Sequence, residues 1–205
     1  LAKDLGYRST VGRRNVKQSA AKSKGNLEQA ARDARYDFLA KAAVKNEANF
    51  ILTGHTLDDQ AETVVMRLLR GSAAEGLSGS SAVRQLEPDS EIQLVRPLQS
   101  WARRNHTVNY CELRGAEFLS DTMNDDESFS RVRVRKQLMP LMESFNTRIV
   151  ETLGRTASLL NEDASELSSQ AQKLIEGAIV DSSKSETGTP SLDVKVLASA
   201  PAAIR

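Results

Sequence analysis

Apolar residues at Leu27, Ala30, Ala31, Ala34, Phe38 and Ala42 recur at helical spacing, which predicts an amphipathic helix from about 26 to 46 with Asn26 as its cap. The run ANFILTG follows and closes at Gly54. An unbroken apolar run of this form predicts a strand buried on both faces in a parallel sheet. Directly after it, Leu57, Ala61, Val64, Val65, Leu68 and Leu69 form the stripe of a second helix that stops at Gly71, and the glycine- and serine-rich RGSAAEGLSGS beyond it reads as a flexible connection. Helix, buried strand, helix is an α/β pattern, and the fold predicted from it is a doubly wound, mostly parallel sheet.

Ile92 to Leu98 is another predicted strand, followed by a helix capped by Ser100 and ending near Gly115, with Trp101 packed in the core. AEFL, 116 to 119, is read as one more strand, and LAKDLGYRS as the end of a helix leading into a strand. Between them VGRRNVKQSAAKSKG is basic and polar, a loop. Beyond Pro140 the pattern changes. Leu153, Leu160, Leu167 and Leu174 recur every seven residues, with Ala157, Ala164, Ala171 and Ala178 between them, a 4-3-4-3 seam. One helix of about 30 residues, roughly 45 Å long at 1.5 Å per residue, is predicted as a connector. Its alanines allow close approach of a partner helix from the same chain or from a second copy, so a homodimer is among the expected assemblies. DSSKSETGTPS then reads as a linker. The domain reading is therefore 1–145, the C-terminal part of a nucleotide-binding domain, and 146–205, a helical linker and the start of a second domain.

Composition narrows the chemistry. No apolar run approaches the roughly 18 residues of a membrane span, and Cys111 is the lone cysteine, so a cytoplasmic protein is expected. One cysteine with His55 and His106 is too few ligands for a zinc finger or a cysteine-held iron–sulfur cluster; a metal would be held by oxygen. The net charge of +1 conceals an asymmetry: residues 151–205 carry five Lys/Arg against eight Asp/Glu, which leaves an excess of four positive charges in 1–150.

Two constellations stand out. At the strand exit, GHTLDDQAET places His55 on the turn and Asp58, Asp59 and Glu62 in the first turns of the helix. Ligands of open α/β sheets collect at such exits. Carboxylates three and four residues apart share one side of a helix, so they predict an acidic cup able to hold Mg²⁺ or a cationic amine. The alternative is that acid in a first turn answers the helix dipole. In SRVRVRKQLMP, Arg131, Arg133 and Arg135 alternate with Val132 and Val134; if extended, this is a comb of guanidinium groups suited to phosphate, or a solvated edge strand guarded by charge. Arg32 and Arg35 on the first helix can face the same crevice, and Arg103 and Arg104 can meet an RNA backbone.

NLEQAARDARY, GHTLDDQAETVVMRLLRGSAAEGLSG, RPL, DTMN and SRVRVRKQLMP followed by FN occur in this order over about 25–146, and together they resemble the tRNA(Ile)-lysidine synthetases. The resemblance implies a PP-loop domain in which ATP, with Mg²⁺, adenylates the wobble cytidine of a CAU-anticodon tRNA(Ile) and free lysine displaces AMP. It implies His55 on the nucleotide side, Asp59 and Glu62 with Arg131 for lysine, Asp58 for Mg²⁺ or support, and Arg32, Arg133 and Arg135 for nucleotide or tRNA. Two departures are visible. The family's Ser-Gly-Gly-x-Asp-Ser phosphate loop is not among these residues, so it is expected either upstream of Leu1 or lost, and this chain alone is expected to be inactive. Val132 stands where the family tends to place asparagine. A non-catalytic tRNA-binding module on the same fold is the alternative, and a base thiolase is disfavoured by the single cysteine.

Overall fold

A computed structural model describes residues 2–16, 27–88, 90–119, 125–180 and 191–204. Asn26, the DTMN block and nearly all of the DSSKSETGTPS linker lie outside them. The chain divides into two compact units, 1–59 with 81–126 and 60–80 with 127–205.

In the first unit, helix α1 (Leu27–Lys45) leads through Glu47, the described non-glycine residue with positive φ, into strand β1 (Phe50–Leu52). Strands β2 (Val83–Gln85) and β3 (Gln93–Val95) complete a sheet of order β1-β3-β2. β1 runs parallel to β3 with Ile51 opposite Leu94, and β2 runs antiparallel to it with Arg84 opposite Leu94. The described sheet is therefore small and mixed, where a mostly parallel one was expected. β2 escaped the sequence reading because VRQ has no apolar alternation; it is a strand by pairing with β3. Ala43, Ile51, Leu86 and Leu94 form the core, with Tyr36 and Leu39 of α1 packed on it.

Several expectations fail in this unit for identifiable reasons. β1 is not buried on both faces: Phe50 and Leu52 are 59% and 68% exposed, and Ile51 alone points into the core. Alternation, which the sequence hid behind three apolar residues, decides which side is covered. Helix α4 (Arg104–Leu113) begins after Arg103 rather than Ser100, because 98–101 fold into a turn with Ala102 N donating to Leu98 O (2.9 Å). That turn carries Trp101 outward, 63% exposed, its indole donating to Pro97 O at 3.1 Å. AEFL forms no strand, and Phe118 and Leu119 are exposed. At the start, Gly6 at φ +75 closes a helical turn (Tyr7 N to Ala2 O, 2.8 Å), but no strand follows among the described residues.

Helix α2 (Leu57–Leu69) crosses the division of the chain. In the second unit its Ala61, Val64 and Val65 are buried while Leu68 and Leu69 are exposed, so the apolar stripe is one turn shorter than read. The loop after it is not slack. Helix α3 (Ala74–Leu77) forms within it, and Arg67 Nη1 donates to Gly76 O and Gly79 O, 2.6 Å each. Gly79 has φ +71, and a Cβ there would strike the Gln60 amide, whose Oε1 accepts from Ser80 N at 2.9 Å.

The arginine comb is helical, not extended. Helix α5 (Ser130–Arg133) passes into a π turn (Val134–Leu138) and then helix α6 (Met139–Phe145). Five alternating residues satisfy either geometry locally; the helical run buries Val132, Val134 and Met139. Pro140 explains the π winding. It has no N–H for the carbonyl four residues back and its ring crowds that carbonyl, and the ladder widens so that Met139 N reaches Val134 O. Helix α7 (Ile149–Ala178) has the predicted length of 30 residues. Val150, Ala157 and Ala178 on it are buried. Past its end, strands β4 (Ile179–Val180) and β5 (Ser191–Leu192) pair antiparallel, and helix α8 (Val194–Ser199), capped by Asp193, packs on α7.

Candidate active site

The exit of β1 supplies the first half of the site. Thr53 N remains on the ladder, donating to Val95 O (2.9 Å), and its hydroxyl pairs with His55 Nδ1 at 2.8 Å, which fixes the imidazole on the turn. Thr56 then caps α2. Asp59, three residues on, returns the interaction: its Oδ2 accepts from Thr56 N (2.8 Å) and Thr56 Oγ1 (2.9 Å). This is the return half of a capping box, with aspartate in the place of glutamate. Thr56→Val is expected to destabilise the chain by about 1 kcal/mol, the typical worth of a cap, read as a lowered urea midpoint.

A cavity of about 400 Å³ opens at this turn, lined by Arg35, Tyr36, Leu39, Thr53, Gly54, His55 and Asp59. Gly54 is open toward it: a Cβ there would meet nothing within 4 Å. The structure thus brings His55 and Asp59 together with Arg35. Arg32, the other arginine of α1, instead stacks on the Tyr36 ring with its guanidinium carbon 4.9 Å from the centroid. Arg84 reaches the same ring at 5.5 Å. Beside them Arg96, the arginine of RPL, is 3% exposed and donates to Ser81 O. Burial lowers its pKa from the ordinary arginine value, a Tyr36 hydrogen bond acts in the opposite direction, and the charges of Arg84 and Arg32 add to the lowering. Sequence alone gave no sign of this group of cations around one tyrosine.

Asp58 faces elsewhere. Its Oδ2 accepts from Arg104 N (2.6 Å) and its Oδ1 from Arg103 Nε (3.1 Å), which tethers the start of α4. Arg104 Nη2 also lies 3.3 Å from Asp59 Oδ1. Arg103 and Arg104, read as RNA contacts, are therefore partners of the acidic turn. Among the described residues no three His, Cys, Asp or Glu side chains converge to hold a metal, and Asp58 does not present the open carboxylate expected for Mg²⁺.

In the second unit Glu62 is 1% exposed. Arg135 meets both its oxygens, Nε to Oε1 at 2.8 Å and Nη2 to Oε2 at 3.1 Å, and Arg131 Nε reaches Oε2 at 2.9 Å. Arg131 and Arg135, four apart on a helical run, share a face; Arg133 does not join them on Glu62. Each of the three carboxylates thus has an arginine partner within its own unit.

A family model described as a PP-loop domain matches residues 1–142. The chain belongs to that family. It is 39% identical over 191 residues to the tRNA(Ile)-lysidine synthase of Leifsonia xyli subsp. xyli, covering 93% of this chain and 54% of that protein. Similarity to the enzyme of the same name from Thermobifida fusca is 38% over 210 aligned residues, covering 100% and 58%, and to that from Salinispora arenicola 37% over 163 residues, covering 79% and 48%. The chain spans about half the length of these curated relatives.

Proposed function

We propose that this chain is the PP-loop part of a tRNA(Ile)-lysidine synthase, acting in the cytoplasm on a CAU-anticodon tRNA(Ile) with ATP and free lysine. The observation that carries the reading is the cavity at the β1 exit, with His55 and Asp59 on the turn, in a chain matched by the PP-loop family and by lysidine synthases. The ring carbonyl of a cytosine is a poor electrophile. Attack of its oxygen on the α-phosphorus of ATP releases pyrophosphate and leaves the base adenylated; the amine of lysine then forms the new C–N bond and AMP departs. Arg35 and His55 are suited to the anionic phosphates, and Asp59 to the cationic amine. In the second unit, Arg131 is proposed for lysine beside Glu62, and Arg133 and Arg135 for tRNA; Arg32 is proposed for tRNA or nucleotide. Mg²⁺ is proposed to travel on the nucleotide phosphates, as it does where few protein carboxylates are available. The 1–145 and 146–205 division is then one between the PP-loop domain and a helical linker that opens a second, tRNA-binding domain, and the parallel β1–β3 pair is part of a doubly wound sheet.

The test supplies the intact protein, phosphate loop included, with ATP, lysine and the tRNA, and follows AMP release together with the mass of the tRNA. Lysine-dependent AMP with a tRNA mass increase supports the reading. Salt-sensitive tRNA binding with no AMP under any condition would favour the non-catalytic module instead.

Self-association through α7 is part of the proposal. Leu167 and Ile175 are 39% and 44% exposed on a helix whose seam is buried at Ala157 and Ala178. Light scattering is expected to give twice the monomer mass, and Leu167→Lys to return the monomer. A monomer before substitution rejects the homodimer. No helix among the described residues is long and apolar enough to cross a membrane.

A further inference from the structure

A second cavity, of about 270 Å³, lies in the second unit where the last turn of α2 faces the π turn. Met66, Leu69, Val134 and Leu138 form its apolar floor, and Arg70 and Arg133 stand on its rim. We propose that it is an RNA subsite that takes one nucleotide of the tRNA, the phosphate on the two arginines and the base against the floor. The inference rests on the tRNA reading above and deepens it by naming a place for the RNA in the second unit.

Charge carries the argument. Arg67, one turn before Arg70, is held by the Gly76 and Gly79 carbonyls, and Arg131 and Arg135, on either side of Arg133, are held by Glu62. Arg70 and Arg133 remain, and neither guanidinium has an ion-pair or hydrogen-bond partner among the described residues. Both are exposed. The cavity lining contains no carboxylate. Gln137, on the same rim, donates to Glu127 Oε2 at 2.6 Å, which keeps that acid on the amide. Two like charges over an apolar floor repel each other until an anion lies between them, and arginine meets phosphate through paired N–H donors.

Shape selects the occupant. The volume is just below the roughly 300–1,000 Å³ of small-molecule sites, room for a single nucleotide whose phosphate stays at the open rim. Unstacked bases of single-stranded RNA lie on guanidinium planes and apolar side chains, while a phosphate at an exposed rim stays attached to a chain that continues past it. The floor also depends on the π turn, which supplies Val134, Gln137 and Leu138; single π turns in helices recur at functional sites.

The experiment measures binding of labelled CAU-anticodon tRNA(Ile) to the full chain by anisotropy between about 50 and 200 mM salt. Arg70→Ala and Arg133→Ala are each expected to weaken binding about fivefold and to reduce the salt slope by about 1, the signature of one lost phosphate contact. Leu69→Ser is expected to weaken binding with the slope unchanged, and Arg155→Ala, on α7, to change neither. ATP affinity, read by calorimetry, is expected to be the same in all. Wild-type binding with both arginine variants unaltered in affinity and slope overturns the subsite and leaves the lysidine reading standing. Loss of ATP affinity in place of tRNA affinity also overturns it, assigning the cavity to free nucleotide. No tRNA binding by the wild type overturns both. Since neither arginine side chain has a partner to lose among the described residues, the variants are expected to fold; circular dichroism checks this.

Discussion

Glu62→Ala is expected to lower the unfolding free energy by about 3 kcal/mol, the low end of the roughly 3–5 kcal/mol seen when one member of a buried ion pair is removed. The carboxylate is almost completely buried, and its three short contacts with Arg131 and Arg135 hold α5 and the π turn against α2. Removing it takes from both guanidinium groups the buried carboxylate they share. The low end applies because both arginines are 27% exposed and water takes over part of their solvation. Urea denaturation of the two proteins gives the answer. A midpoint shift worth less than about 1 kcal/mol would mean that the bridge behaves as a surface pair and that apolar packing of Val132, Val134 and Met139 fixes the helix by itself. Glu62→Gln separates charge from shape: it keeps the side-chain volume and one carbonyl acceptor, so a loss close to that of alanine assigns the effect to charge.

His55→Ala is expected to reduce lysine-dependent AMP release about 10²-fold or more, the scale of removing one positioned electrostatic group from a reacting centre, with the unfolding midpoint nearly unchanged. The ring is set by a hydroxyl two residues away, Thr53 Oγ1 at 2.8 Å, so its loss opens no cavity in the core. Thr53→Val is expected to reproduce a smaller part of the defect by releasing the imidazole without removing it. Equal rates for His55→Ala and the unmodified protein would remove His55 from the chemistry and leave Asp59 and Arg35 to define the cavity.

Much of the fold is written in local pattern. The period of α1, the stripe of α2 and the heptads of α7 each extend over three or more turns, and such spacing leaves little choice of structure. Short elements are different. β2 and the failed strand at 116–119 depend on whether a neighbour offers hydrogen bonds, and SRVRVR carries too few residues to separate a period of two from a helix whose valines are both buried. Trp101 was misplaced because aromatic character predicts burial, whereas a turn from Pro97 to Ala102 sets where the ring points. The placing of His55 and Asp59 on one turn was legible because a strand exit followed by a helix start confines them there. The pairing of Asp58 with Arg103 and Arg104 was not, since it joins residues about 45 positions apart, and nothing in either segment names the other.

The π turn has a consequence for chain length. Deleting one residue between Val134 and Leu138 would restore ordinary winding at modest local cost, yet each residue advances a helix by about 100°. Everything upstream would rotate by that angle, and Arg131 would swing off Glu62 as Arg133 left the rim. Count, as much as chemical identity, is therefore under constraint in this stretch: a conservative exchange of side chains there is tolerable where a one-codon deletion is not.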